Sequence, residues 1–186
     1  MDPSLNHIYN AQLTDEEFRR LSEFIYNESG IKMPPIKRIM LQSRLQKRLR
    51  DLKVQNFKDY CDYVFSKAGQ MSEIIHMLDV VSTNKTDFFR EAVHFDFLTS
   101  DVLPSFYKSG TGNRTMKVWS AGCSSGEEPY TISIVLHDFA ELHPGFDFSI
   151  LGTDLSTQIL QKAVDAVYRM DRVEAIPLDI KKRHFL

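Results

Sequence analysis

The sequence predicts an α/β fold in which a small all-helical domain precedes a unit built on a parallel β-sheet. Two observations support this prediction. Up to about Val81, apolar residues recur at helical spacing. Beyond 109–113 the period changes, and short apolar runs alternate with helical segments. Strand–helix–strand–helix order is typical of parallel strands joined by right-handed crossovers. We therefore expect a helical domain at 1–81, a linker at 82–91 and the sheet unit at 92–186.

The first domain is predicted to contain four short amphipathic helices with short connections. Thr14 and Glu17 have the spacing of a capping box, and the helix behind them should end near Gly30. A second helix should begin after the double proline at 34–35, and Gly69 should separate the third helix from the fourth. The apolar positions expected to face the core are, helix by helix, Phe18, Leu21, Phe24 and Ile25; Leu41, Leu45, Leu49 and Leu52; Phe57, Tyr60, Cys61, Val64 and Phe65; and Ile74, Ile75, Leu78 and Val81.

The second unit is predicted to alternate helices and strands. Its elements should be a helix at 91–107, a loop at 109–113, a strand at 116–120, a helix at 130–142, a strand at 146–151, a helix at 157–166 and a weaker, proline-interrupted helix at 173–185. Two strands do not complete a parallel sheet, because such a sheet is buried on both faces. We therefore expect further strands, supplied either by another copy of the chain or by a longer protein.

The composition argues against several classes of protein. The 186 residues are 42% hydrophobic and 26% charged, as in an ordinary globular protein, and the formal net charge of -2 argues against a general nucleic-acid coat. Cys61 and Cys123 have no second ligand at metal spacing, so neither a disulfide nor a metal site is expected. The sequence shows no export signal and no membrane-length apolar run, and together with the sparse cysteines this predicts a cytoplasmic location.

Residues 118–130 form the most informative motif. An apolar run enters a small-residue turn from Ala121 to Gly126, and the pair Glu127-Glu128 opens a helix-patterned segment. Such a turn brings backbone N–H groups close to a ligand in α/β proteins. No lysine follows Gly126, so the turn is not a P-loop, and it has one glycine fewer than the dinucleotide fingerprint. The two carboxylates indicate a ligand with hydroxyls or an ammonium group, such as a nucleoside joined to an amino acid. The alternative is an ordinary strand-to-helix turn, in which glycine and glutamate have local roles.

Asp154 follows the second predicted strand, about 30 residues after this loop. A carboxylate there can accept two hydrogen bonds from a vicinal diol, as ribose presents. The competing role is the N-cap of the next helix, for which Asp154 and Ser156 are both suited. Because the carboxyl ends of neighbouring parallel strands share one edge, Asp154 and the first loop together favour a ligand site there.

The linker ends in Phe88-Phe89-Arg90. An arginine braced on aromatic rings is a rigid donor for a carboxylate, which makes Arg90 a candidate functional residue. The alternative roles are local: the polar linker residues could cap the next helix, and the two phenylalanines could belong to the core.

The second predicted helix is strongly basic. At about 100° per residue, Lys37, Arg44, Lys47 and Arg48 share one sector beside the apolar stripe. A solvated face is the usual role of such charges, but their concentration favours an acidic protein partner. No aromatic residues are interleaved with them, which argues against single-stranded nucleic acid.

These motifs resemble those of the chemotaxis-receptor methyltransferases, bacterial enzymes that transfer a methyl group from S-adenosylmethionine to protein glutamate side chains. The resemblance extends over nearly the whole chain. It rests on segments 83–91, 118–130 and 152–156, on Tyr168-Arg169, and on the basic helix around Lys37-Arg38 and 44–49. It implies a helical N-terminal domain followed by a partial Rossmann-like methyltransferase domain, with S-adenosylmethionine over the first strand loop.

The resemblance also implies residue roles. Arg90 would be catalytic, near the methionine carboxylate and the reaction centre; Asp154 would hold the ribose; and one of Glu127 and Glu128 would meet the ammonium group. Methyl transfer to a carboxylate would need no strong general base, so positioning and desolvation would supply most of the catalysis. The remaining cofactor contacts would come from Asn84, Thr86, Ala121 and Gly122, and the residues docking on the acidic helical bundle of a chemoreceptor would be Lys37, Arg44, Lys47 and Arg48.

Family members continue beyond the position of Leu186 with further strands, so the resemblance implies only part of the methyltransferase domain here. Self-association or strand exchange would complete the sheet. The alternative to methyl transfer is a non-catalytic module that binds S-adenosylmethionine or docks on receptors. A nucleic-acid methyltransferase is disfavoured, because the chain is net acidic and has no Asn/Asp-Pro-Pro-aromatic run. Neither nucleic acid nor membrane insertion is expected.

Overall fold

The computed structural model describes residues 11–109 and 114–186. The chain divides into two compact units, one ending at Thr83 and the other beginning at Asn84. The predicted loop at 109–113 lies almost wholly outside the described residues. Within the described ranges, no helix combines the length and the apolar character needed to cross a membrane.

Within residues 11–83, four α-helices build the first unit. They are α1 (Asp15–Ser29), α2 (Arg38–Leu52), α3 (Phe57–Val64) and α4 (Lys67–Val81), and a 3-10 turn at Pro35–Lys37 leads into α2. The predicted capping box is confirmed, because the Thr14 hydroxyl accepts from the Glu17 amide and the Glu17 carboxylate accepts from the Thr14 amide. Gly30 ends α1 with a φ of 73°, a left-handed conformation that glycine adopts without strain.

The core of the first unit confirms most of the predicted apolar positions. Fully buried side chains include Leu21, Ile25, Leu41, Leu45, Leu49, Phe57, Tyr60, Cys61 and Val64. The prediction for Gly69 was wrong, because this residue lies inside α4, which begins after its cap at Ser66. A Cβ at Gly69 would lie 2.9 Å from the Val64 Cα, so glycine here permits close contact between α3 and α4. The longer α4 buries Glu73 and Met77, whereas Ile75, predicted to be inward, is 50% exposed.

The second unit confirms the predicted order of helices and strands. Its elements are α5 (Ala92–Phe97), a π-helical turn (Leu98–Val102), α6 (Leu103–Ser109), β1 (Arg114–Ala121), α7 (Glu127–Leu142), β2 (Phe146–Thr153), α8 (Thr157–Asp165), a 3-10 turn (Met170–Arg172) and α9 (Leu178–His184). Helix α7 begins at Glu127 rather than at residue 130, so the acidic pair forms its first turn. The weak helix predicted at 173–185 is reduced to α9, which begins after Pro177.

The sheet of the second unit is parallel, as predicted, and α7 is its crossover. The two strands pair from Arg114 opposite Phe146 to Ala121 opposite Thr153. One face packs on α6 and α7 through a cluster centred on Leu103, Ile132, Leu136, Phe139 and Phe146. On the other face, Trp119 and Leu151 are exposed, and within the described residues we call this the open face. Both strands end at one edge, so the loops that follow β1 and β2 lie side by side.

Candidate functional site

The loop after β1 turns back onto the end of β2. The amides of Gly122 and Cys123 both donate to the Thr153 carbonyl, at 2.7 and 2.9 Å. Gly122 has a φ of 80°, and no atom lies within 4 Å of the position that a Cβ would take. Ala121 and Gly122 are both exposed. The backbone at these two predicted contact residues therefore borders open space, as a ligand-binding loop requires.

Ser124 joins three segments of the site. Its amide donates to Asp154 Oδ2 at 2.8 Å, and its hydroxyl donates to the Asn84 carbonyl at 3.1 Å. It is buried and has a φ of 51°, a conformation that non-glycine residues keep where surrounding contacts enforce it. The loop after β1, the loop after β2 and the segment that begins at Asn84 thus meet at this serine, which sequence reasoning did not single out.

Asp154 connects the two strand ends. Its Oδ1 accepts from the Ser156 amide at 2.9 Å, and its Oδ2 accepts from Ser124. The N-cap of α8 is Ser156, because the Ser156 hydroxyl accepts from the Ile159 amide. A carboxylate has about four acceptor positions, so Asp154 can still receive two hydroxyl groups. The cap role therefore belongs to Ser156, and the ribose contact of Asp154 stays a prediction.

The acidic pair at the start of α7 consists of one buried and one exposed residue. Glu127 is 1% exposed, and its carboxylate accepts from Arg172 at 2.8 Å and from the Ser125 hydroxyl at 2.6 Å. Glu128 is exposed, and its Oε1 accepts from the Ser120 hydroxyl at 2.7 Å. Glu127 is thus engaged in internal contacts, and Glu128 presents the accessible carboxylate.

Residues 84–91 form a non-helical segment that is fixed at several points. Besides the contact at Asn84, the carbonyl of buried Thr86 accepts from Arg172, and the Phe89 amide donates to the Thr131 hydroxyl at 3.1 Å. Phe89 and Glu91 have φ values of 54° and 57°. Arg90 therefore lies between two residues in a conformation that costs free energy and persists only under tertiary restraint.

Arg90 itself is exposed, and its Nη1 donates to the Lys85 carbonyl at 2.8 Å. The predicted bracing on the neighbouring rings was wrong. Phe88 packs edge-on against Tyr168 and Phe185, with ring centroids 4.9 and 5.4 Å away. In the described part of the chain, the guanidinium that lies over a ring is that of Arg20. The Arg90 side chain is therefore restrained by a backbone carbonyl and by its own strained backbone.

Tyr168 and Arg172 complete the surroundings of the loop. The Tyr168 hydroxyl donates to the Ser125 carbonyl at 2.7 Å, and a Cβ at Gly126 would lie 2.7 Å from that hydroxyl. Burial, and then the charge of Glu127, raises the pKa of Tyr168, so it remains a donor at neutral pH. The hydrogen bond to Glu127 likewise raises the pKa of Arg172. Sequence reasoning missed Arg172, because a single arginine in a polar turn has no pattern that separates it from a surface charge.

A cavity of about 300 Å³ lies between α7, β2 and α8. Its lining is mostly apolar and includes Cys123, whose pKa is raised mainly by burial. Neither Glu128 nor Asp154 lines this cavity, so it is separate from the carboxylates that could hold a polar ligand.

The predicted docking residues on α2 and the preceding turn have different surroundings. Lys37 and Lys47 are exposed. Arg44 instead donates to carbonyl groups at the end of α4 and to the Thr83 hydroxyl, the latter at 3.1 Å. Arg48 forms a two-point ion pair with Glu73, with both N–O distances 2.8 Å. The two arginines thus stabilise the first unit internally, and the two lysines remain accessible to a partner.

Both units match models of one protein family. Residues 16–82 match the model described as CheR methyltransferase, all-alpha domain, and residues 84–186 match CheR methyltransferase, SAM binding domain. The cofactor indicated by the second match is S-adenosylmethionine.

Curated relatives carry the name chemotaxis protein methyltransferase. The Borreliella burgdorferi protein is 36% identical over 178 residues, which are 94% of this chain and 62% of that protein. The Escherichia coli protein is 35% identical over 176 residues, or 94% of this chain and 58% of that protein. The chain therefore spans about three fifths of the length of the curated relatives it matches. With both units matched in order, the chain belongs to the CheR methyltransferase family.

Proposed function

We propose that this chain carries the cofactor site for S-adenosylmethionine-dependent methyl transfer to glutamate side chains of bacterial chemoreceptors. The observation behind the proposal is the meeting of three segments at Ser124, which collects the candidate ligand contacts at one edge of the sheet. The curated relatives are named chemotaxis protein methyltransferases, which supports methyl transfer in chemotaxis.

The residues present fit the proposed cofactor. Glu128 offers an exposed carboxylate to the ammonium group, and Asp154 keeps acceptor positions for the ribose hydroxyls. The open space beside Gly122 admits the ligand to the loop backbone. The further contacts that we propose are Asn84, Thr86, Arg90 and Ala121, while Glu127 has an internal role.

The proposed reaction needs positioning more than proton transfer. When bound, the cofactor supplies a methyl group on a sulfonium. A carboxylate oxygen of the receptor glutamate forms the new bond to the methyl carbon as the sulfur–carbon bond breaks, with its electron pair left on sulfur. That carboxylate is ionised at neutral pH, since an ordinary glutamate has a pKa of about 4.3. Arg90 is the proposed catalytic residue, because its restrained guanidinium can hold a carboxylate at the reaction centre.

We also propose that the first unit docks on the acidic helical bundle of the receptor. Lys37 and Lys47 are exposed and would make the direct contacts, while Arg44 and Arg48 would act indirectly by fixing α2 against α4. A cytoplasmic location suits the two buried free thiols, Cys61 and Cys123.

Calorimetric titration with S-adenosylhomocysteine tests the cofactor site. We expect the wild-type chain to bind and Glu128→Gln to bind about tenfold or more weakly, because a hydrogen bond to a charged group is worth about 1.5–3 kcal/mol. The matched control is Glu141→Gln, since Glu141 is an exposed glutamate at the other end of α7. Failure of the wild type to bind would refute the cofactor role of this chain, and unchanged affinity in Glu128→Gln would remove Glu128 from the site.

Transfer of a labelled methyl group to receptor-containing membranes separates an enzyme from a non-catalytic binding module. Transfer by the wild-type chain supports the enzyme, and binding without transfer favours the module. Arg90→Ala should abolish transfer, so retained activity would remove Arg90 from the proposed role.

A further inference from the structure

Arg172 connects two parts of the site that are far apart in sequence. It ends the 3-10 turn at Met170–Arg172, and its Nη2 donates to the Glu127 carboxylate at 2.8 Å. The same Nη2 donates to the Thr86 carbonyl, and Nη1 lies 3.1 Å from Asp87 Oδ1. One guanidinium thus holds the segment before Arg90 against the first turn of α7.

Glu127 makes this connection rigid. Its side chain is buried, and its second oxygen accepts from the Ser125 hydroxyl, so the carboxylate has a fixed place inside the second unit. A guanidinium is planar and presents its donors in a fixed fork. With Nη2 bound to Glu127, the plane of the guanidinium is fixed, which restricts where the acceptors at Thr86 and Asp87 can lie.

The held residues immediately precede the strained part of the segment. Phe89 and Glu91 have φ values of 54° and 57°, and such residues need tertiary contacts to keep their conformation. Without Arg172, the described contacts to other elements that restrain this stretch would be the Asn84 carbonyl, the Phe89 amide and the ring packing of Phe88 and Phe89. The backbone between Asn84 and Phe89, which sets the direction of the Arg90 side chain, would lose its polar restraint from other elements and keep only the described contacts made by Arg90 itself, to the carbonyls of Lys85 and Asp87.

We propose that Arg172 is a positioning residue of the cofactor site: anchored on Glu127, it holds the Thr86 carbonyl and the Asp87 carboxylate and thereby fixes the place of Arg90. The expected effect of Arg172 on cofactor binding rests on the proposed function. Glu127 then has a role as the anchor of Arg172, in place of a direct cofactor contact.

Arg172→Gln in the full chain tests the proposal, with Arg183→Gln as the matched control. Arg183 also contacts two carboxylates, those of Asp138 and Glu141, at the far end of α7. We expect Arg172→Gln to bind S-adenosylhomocysteine about tenfold more weakly, which corresponds to about 1.4 kcal/mol. Amide hydrogen exchange in ligand-free protein should accelerate in the peptide covering 84–91. Arg183→Gln should change neither readout. Arg172→Gln should lower the melting temperature more than Arg183→Gln does, because it leaves the buried Glu127 carboxylate unpaired, whereas Asp138 and Glu141 are accessible to solvent.

Arg172→Lys should recover only part of the affinity, because an ammonium group keeps the charge but lacks the planar fork. If Arg172→Gln binds and exchanges like the wild type, the proposal is overturned. Exchange that accelerates across the whole second unit in Arg172→Gln, in step with its lower melting temperature, would also overturn the proposal, since Arg172 would then contribute to general stability alone.

Asp87→Asn provides a milder variant if Arg172→Gln does not fold. Asp87 is exposed, so its substitution leaves the ion pair between Arg172 and the buried Glu127 in place. Faster exchange at 84–91 would support the proposal, and unchanged exchange would contradict it. Because exchange is measured without ligand, it tests whether Arg172 restrains residues 84–91 even if the wild-type chain does not bind S-adenosylhomocysteine and the proposed function fails.

Discussion

Lys47 and Arg48 are adjacent in α2, yet their side chains have different surroundings. Lys47 is exposed, whereas Arg48 binds Glu73, which is 1% exposed and also accepts from the Tyr60 hydroxyl at 3.1 Å. The hydrogen bond to Glu73 raises the pKa of Arg48, so the guanidinium stays charged. Removing one member of such a pair leaves the other charge buried without compensation, which is far more costly than losing a solvated charge.

We therefore predict different effects of one substitution at these two positions. Arg48→Gln should lower the free energy of unfolding by about 3 kcal/mol, whereas Lys47→Gln should change it by less than about 0.5 kcal/mol. Urea unfolding followed by circular dichroism measures both. Binding to a receptor cytoplasmic fragment should weaken in Lys47→Gln at low salt, and the difference from the wild type should shrink as salt rises. An Arg48→Gln variant as stable as the wild type would contradict the structural role of the ion pair. Unchanged receptor binding by Lys47→Gln would mean that Lys47 is a solvated surface charge with no role in docking.

At the scale of secondary-structure elements, α3 and α4 meet through Gly69. A Cβ there would lie 2.7 Å from the Tyr63 carbonyl carbon and 2.9 Å from the Val64 Cα, and these backbone atoms cannot move without separating the helices. Gly69→Ala should therefore destabilise the chain by about 2–3 kcal/mol, as overpacking does in tight cores. Gly30→Ala is the control, because Gly30 has a positive φ but no atom within 4 Å of its Cβ position. Only the backbone cost of about 1 kcal/mol applies there. Equal unfolding free energies for the two variants would refute the close-contact explanation.

Gly69 also shows where sequence reasoning succeeds and where it fails for the elements. Periodicity located the helices and strands, because burial of one face sets the spacing of apolar residues. The prediction failed at Gly69 because the sequence alone does not distinguish a glycine that ends a helix from a glycine that allows a neighbouring backbone to come close. The same limit applies to the basic sector of α2. The helical repeat placed Arg44 and Arg48 on one side, but only the fold brings the end of α4 and Glu73 to them.

For the candidate site too, the sequence predicts features that follow from strand order but not those that depend on long-range contacts. Strand order alone brings Asp154 to the loop after β1, because parallel strands end at one edge. The sequence could not decide between Glu127 and Glu128, since both suit the first turn of a helix. The structure distinguishes them, because Arg172, 45 residues away, forms an ion pair with Glu127, whereas Glu128 is exposed. Polar residues that pair across such a long sequence separation do not recur at a fixed spacing, so no pattern in the sequence predicts the pair.

At the scale of the whole molecule, the open face of the sheet exposes large apolar side chains in the part of the chain that the structure describes. Trp119 and Leu151 lie opposite each other on this face and are 67% and 61% exposed. Within the described residues, β1 and β2 pair only with each other, so each also leaves an unpaired edge. Parallel sheets are covered on both faces, and exposed strand edges favour pairing with another chain. We therefore predict that this chain self-associates through the open face, with a second copy as the occupant.

Trp119 is the single tryptophan, so its fluorescence reports on this face. As concentration rises, emission should shift to shorter wavelength, acrylamide quenching should fall, and sedimentation velocity should show a heavier species. Leu151→Lys keeps the fluorophore and should hold the chain in its lighter, quenchable form, because a buried unpaired charge opposes association. Leu142→Lys is the control, since Leu142 is 78% exposed on α7, outside the two strands. A tryptophan signal and a sedimentation coefficient that do not change with concentration would mean that the open face has no affinity for a second copy.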